Sequence, residues 1–145
     1  MVLTNKLHSA KPYDKLSRMT SLIEETLSQY AELHGDPYGA VYAKLYALEE
    51  TYEGLFLLDT DEGLRRNMMR TTLEIISTYL DDPLAAANRV IGAQMSHVTY
   101  GVQDGFHAFF EITRDVIAEG LAEDFTPAHA KAWDAMLADF ALAQV

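Results

Sequence analysis

Apolar residues recur at spacings of three and four along almost the whole of this 145-residue chain, and strand signals are nearly absent. There is no Asn-Gly or Asp-Gly hairpin and no sustained alternation of apolar and polar residues. The interruptions are helix stops and starts. His34-Gly35-Asp36-Pro37, Asp81-Asp82-Pro83 and Thr126-Pro127 each join a capping or helix-ending residue to a proline suited to a first helical turn. The pattern predicts an all-α chain of about six to seven helices with short connections, and not a four-helix bundle.

Taken in order, residues 1–13 read as a loose N-terminal arm and residues 14–145 as one domain, a size usual for a single core. A first helix is expected over Asp14 to Leu33, with Leu16, Met19, Leu22, Ile23, Leu27 and Tyr30 on one face. A second covers Pro37 to Glu50. An irregular passage with Tyr52, Leu55, Phe56, Leu57 and Leu58 follows and reads as a corner. The next helix is expected to start near Thr60 or Asp61, capped by one of them, with Arg65, Met69, Thr72, Leu73 and Ile76 on its inner stripe. Asp82 and Pro83 open a helix rich in small residues that runs to His97. Asp104 is expected to cap a helix from Gly105 to Glu119. Thr126-Pro127 opens the last helix, with Trp133, Met136 and Phe140 inward.

Eleven basic against twenty-two acidic residues give a net charge of −11. That disfavours nucleic acid, whose binding depends on cationic phosphate contacts, and equally an anionic membrane surface. With no cysteine, disulfides, thiolate catalysis and cysteine-ligated metals are excluded. No apolar run approaches a membrane span, and Met1 to Pro12 lacks the apolar core of a signal peptide, so cytoplasm is the expected location. No Ser/His/Asp set, phosphate-binding glycine loop or zinc spacing is present. His8, His34 and His129 read as surface residues, the acidic clusters as solvated loops and helix starts, and the methionines as core filler.

The segment Ser96-His97-Val98-Thr99-Tyr100-Gly101-Val102 is different. It ends a helix on a histidine and then turns the chain. An imidazole fixed at such a junction has the geometry that a haem iron asks of an axial ligand. A lone histidine near an apolar face is more often an ordinary core or surface residue. Here the small residues before His97 suit a flat ligand, and Tyr42, Phe56, Arg65 and Met69 offer an apolar wall with polar tips.

On these residues the chain resembles the bacterial globins, namely the globin domain of flavohaemoglobins and the single-domain bacterial haemoglobins. His97-Val98-Thr99-Tyr100-Gly101-Val102 is similar to that family's proximal-histidine signature. Val41-Tyr42-Ala43-Lys44-Leu45-Tyr46 is similar to its distal-tyrosine segment. Phe56 follows Tyr42 at the family's interval for the phenylalanine that wedges the haem, and Thr126-Pro127 with Ala132-Trp133 looks like the start of its last helix. The resemblance implies a globin fold around one haem b. His97 would be the iron ligand, with Phe56, Tyr42, Arg65, Met69, Tyr100 and Val102 around the cofactor. It implies reversible binding of O2, CO and NO, with Tyr42 donating to bound ligand.

Three departures qualify this. With one deletion, the family's distal glutamine falls on Arg65 and the apolar residue a turn later on Met69; without it, Arg66 replaces Arg65. An arginine there could face the ligand, a haem propionate or solvent. The tyrosine that backs the proximal histidine falls on His107, or on Phe106 with a shift of one. The chain ends before the matching glutamate, so His97 is expected to donate its second N–H to a backbone carbonyl near Ala93 or Gln94. No reductase domain follows, so NO dioxygenation would need an external reductase. Carrier, store and NO-detoxifying roles all use the same site. A different class of reading is a globin-type sensor or protein-interaction module that needs no haem. Oligomeric state is left open.

Overall fold

The computed structural model describes residues 12–98 and 103–143, with side chains placed at 14–98 and 106–143. Seven α-helices occur among the described residues: α1 Pro12–His34, α2 Tyr38–Leu48, α3 Thr51–Gly54, α4 Gly63–Asp81, α5 Pro83–His97, α6 Gln103–Leu121 and α7 Pro127–Leu142. A single 3-10 turn, Ala122–Asp124, separates α6 from α7. No strand occurs among the described residues, as the periodicity requires. No described helix is long and apolar enough to cross a membrane.

The boundaries follow local chemistry. Gly35 adopts a φ of 73°, a left-handed conformation that ends α1, and its N–H donates to Ala31 O at 2.9 Å. The Asp36 carboxylate then takes the N–H of Tyr38 at 2.9 Å as α2 begins. Asp82 caps α5 by accepting from Ala85 N at 3.2 Å, with Pro83 in the first turn. Thr126 caps α7 in the same way, accepting from His129 N.

Three expectations differ. Neither Thr60 nor Asp61 is the N-cap of α4. Glu62 takes that place with a left-handed φ of 62°, and the buried Asp59 carboxylate reaches forward to the N–H groups of Leu64 and Arg65, at 2.9 and 3.0 Å. Asp61 accepts only from Gly63 N, at 3.0 Å. Asp104 lies inside α6, which starts at Gln103, instead of preceding it. His129 is buried, not a surface residue. Its Nδ1 accepts from Thr126 N at 3.0 Å, so the free donor Nε2 meets the Glu25 carboxylate of α1 at 3.1 Å. A histidine thus closes the capping box that glutamate or glutamine usually closes. His34 is exposed, as expected, and His8 lies outside the described residues.

Every long helix contributes to one core. Ile23 of α1, Val41 of α2, Ile75 and Ile76 of α4, Val90 of α5, Ile117 of α6, and Trp133 with Met136 of α7 are all fully enclosed. The α1 stripe includes two threonines that apolar periodicity passes over. Of these, Thr26 accepts from the Trp133 indole Nε1 at 2.9 Å. That bond spares the indole N–H the cost of burial without a partner. Side chains of α1 press on the α6 backbone at Gly120, where a Cβ would stand 2.3 Å from a ring carbon of Tyr30. His34 Nε2 donates to Gly120 O there, at 2.8 Å. The same core sets α5 against α4 and α6, with His97 at the end of α5.

Candidate functional site

His97 is the last residue of α5 and its ring is half-buried. Nδ1 lies 2.7 Å from Ala93 O one turn earlier. A carbonyl only accepts, so Nδ1 carries the proton, and in the neutral ring the lone pair sits on Nε2. No described residue hydrogen-bonds Nε2. The Phe106 ring packs beside the imidazole at 5.3 Å between centroids, limiting its rotation. Of the two residues expected behind the histidine, Phe106 touches it. His107 instead turns to Gln94, with Nε2 to Nε2 at 2.7 Å. Tyr100 and Val102 lie outside the described residues.

A second group of the expected site residues is brought together around Tyr42, which is 4% exposed. Phe56 meets its ring edge-on at 5.8 Å and Phe109 at 5.4 Å, with Tyr38 and Tyr46 on either side along α2. The Tyr42 hydroxyl donates to Arg65 O at 3.0 Å. Burial, then the neighbouring tyrosines, push this phenol far above its ordinary range, so it is a hydrogen-bond donor at any physiological pH. Met69 is buried one turn after Arg65 on α4.

Arg65 folds back on the corner that precedes its own helix. Its Nε donates to Asp59 Oδ2 at 2.9 Å and a terminal nitrogen to Asp59 O at 2.7 Å. The second terminal nitrogen is 3.5 Å from the Tyr46 hydroxyl, and the guanidinium stands 5.9 Å from the Phe56 ring centre. Burial would raise the Asp59 pKa. The N–H groups of Leu64 and Arg65 and the guanidinium outweigh it and hold the carboxyl below its usual range. Arg66, the alternative to Arg65, lies instead over the Tyr38 ring at 4.4 Å.

Sequence reasoning missed Asp59, Tyr46 and Gln94. Asp59 looked like one of several turn acids, although its spacing of five and six to Leu64 and Arg65 matches a looped cap. Gln94 sits three residues before His97 on the same helical face, a periodicity that could have flagged it.

The donor set fits one axial imidazole. The second nitrogen is tied to a carbonyl, as ligating histidines usually are, and the ring is steadied by an aromatic neighbour. Among the described residues no group of three or more His, Asp or Glu could hold a metal ion, so a protein-only metal cage is not what this arrangement offers. Two surface clefts lie elsewhere. One is bordered by Ser17, Arg18, Ser21, Leu22 and Glu25. The other, of about 400 Å³, lies between α1 and the end of α4. Compared with protein-family models, with curated proteins and with solved structures, the chain shows no match in any of the three.

Proposed function

We propose that this chain is a haem-binding globin that takes up O2, CO and NO reversibly, serving as oxygen carrier, oxygen store or NO-detoxifying globin. The observation that carries the reading is the His97 imidazole. Its Nδ1 proton is committed to Ala93 O at 2.7 Å, and its Nε2 lone pair has no described protein partner. Haem b, when bound, would supply an iron able to take up a diatomic gas. His97 would hold the cofactor and Phe106 would limit the ring's swing. Phe56 and Met69 would form apolar walls, with the Tyr42 hydroxyl as a donor. NO dioxygenation would need electrons from a reductase.

The test is spectroscopic. Protein mixed with haem and reduced should give a Soret band that moves when CO is added. His97→Ala should lose or severely weaken that band. An identical spectrum in the variant would remove His97 from the account.

A second reading, a protein-interaction or sensor module that functions without haem, is favoured by one observation. The Tyr42 hydroxyl and the Arg65 guanidinium are already engaged by Arg65 O and Asp59. Protein that is colourless as isolated and refuses added haem would support this reading over the first.

A further inference from the structure

The corner between α2 and α4 presents apolar surface that the core does not use. Leu57 and Leu58 are 76% and 96% exposed, and Leu48, Leu55 and Leu64 are each more than half exposed. The cause is local. Between Tyr52 and Glu62 the chain advances by successive three-residue turns, with Leu55 N on Tyr52 O, Phe56 N on Glu53 O and Asp59 N on Phe56 O. These turns direct Tyr52 and Phe56 against the core and leave the leucines between and after them outside. Polar residues would serve such a corner at no cost to the fold. A run of exposed leucines in a soluble domain marks a contact surface.

The charge around these leucines says what kind of surface would cover them. From residue 45 to residue 64 there are six carboxylates and no lysine or arginine. Asp59 is spent on Arg65, Glu62 on the Tyr38 hydroxyl and Asp61 on Gly63 N. Glu49, Glu50 and Glu53 are exposed, and no described cation pairs with them. A second copy would bring the same carboxylates against themselves on a chain of net charge −11. An anionic lipid surface is repelled for the same reason.

We infer that the leucine corner at residues 55–58, rimmed by Glu49, Glu50 and Glu53, is a docking surface for a protein partner presenting an apolar centre ringed by lysine or arginine. The leucines supply the area to be desolvated and the glutamates steer and orient the approach. The inference does not depend on haem, because none of these leucines is assigned to the His97 site.

A fluorescein-labelled 14-residue helical peptide of leucine and lysine, amphipathic in pattern, serves as probe, with a leucine–glutamate peptide of the same pattern as control. Binding is read by anisotropy at low and moderate salt. The leucine–lysine peptide should bind and the glutamate peptide should not. Leu57→Ser with Leu58→Ser should weaken binding at least tenfold. Glu49→Gln, Glu50→Gln and Glu53→Gln together should weaken it several-fold and flatten its salt dependence. Leu84→Ser with Leu142→Ser, which alters equally exposed leucines on α5 and α7, should leave it unchanged. Unaltered binding to the Leu57/Leu58 variant overturns the inference. So does a dimer of the unaltered protein that the same variant dissolves, which would make a second copy the occupant. Tighter binding of a peptide spanning residues 1–13 would reassign the surface to the chain's own basic segment and likewise overturn it.

Discussion

The hydroxyl of Tyr42 donates to the backbone carbonyl of Arg65 at 3.0 Å, joining the middle of α2 to the first turn of α4. First-turn carbonyls of a helix already accept from the N–H four residues on, so this bond uses the second lone pair. It costs the helix nothing. Tyr42→Phe should therefore lower stability by about 1 kcal/mol, the net worth of a buried neutral hydrogen bond, as read from urea denaturation. In haem-loaded protein the same variant should release O2 faster. A stability loss without any change in O2 release would leave Tyr42 a structural tie and nothing more.

Asp59 holds Arg65 and the start of α4 only while it is ionised. Its folded pKa lies below the unfolded value, so the ionised carboxylate stabilises the folded state. That contribution is fully present above about pH 5 and is lost as pH falls through the usual carboxylate value near 4 and below. Asp59→Asn should be less stable at neutral pH. It should also lose less of its remaining stability between pH 5 and pH 3 than the unaltered chain does, in parallel urea titrations. Equal losses in the two proteins would show that other carboxylates dominate acid unfolding.

Tyr79 donates to the Asp139 carboxylate at 2.6 Å, and burial, then this bond, raise its pKa well above the ordinary phenol value. Tyr42 is raised as well, chiefly by burial. For a raised group, stability is present below the unfolded pKa of about 10 and is lost as pH rises through the folded value. Phenolate absorbance should therefore show at least two of the eight tyrosines failing to titrate near pH 10 and ionising only with alkaline unfolding. Tyr79→Phe should reduce that delayed fraction by one residue.

Gly120 allows α6 to lie against the Tyr30 ring. A methyl group there would fall 2.3 Å from one ring carbon and 2.7 Å from the next. Although alanine favours helices, Gly120→Ala should destabilise by about 1–3 kcal/mol, the usual cost of overpacking, measured as a lowered urea midpoint. A Tyr30→Leu background, which removes the flat ring, should recover part of the loss.

Local chemistry is what could be read before the structure. Asp82-Pro83 and Thr126-Pro127 mark helix starts because capping acts within three residues, and the fold places both as expected. His97 to Ala93 is likewise a one-turn relation, so the carbonyl partner of the imidazole was legible. Long-range relations were not. His129 reads as a surface residue until Glu25, more than a hundred positions away, is brought to its Nε2. Asp59 stands among several acids, and only the left-handed turn at Glu62 decides that it, not Asp61, reaches the amides of Leu64 and Arg65. Arg65 could not be placed because its partner depends on how that corner closes. Gly120 gives no signal until the Tyr30 ring faces it.

The claim on which the functional account rests is a bond from His97 Nε2 to a haem iron. Resonance Raman spectroscopy of the reduced, ligand-free, haem-loaded protein observes the iron–histidine stretch directly. The account predicts that this band is present in the unaltered chain, absent in His97→Gly, and restored in that variant at a shifted frequency by added imidazole. An iron–histidine band that persists unshifted in His97→Gly without imidazole, or a protein that takes up no haem at all, would contradict it.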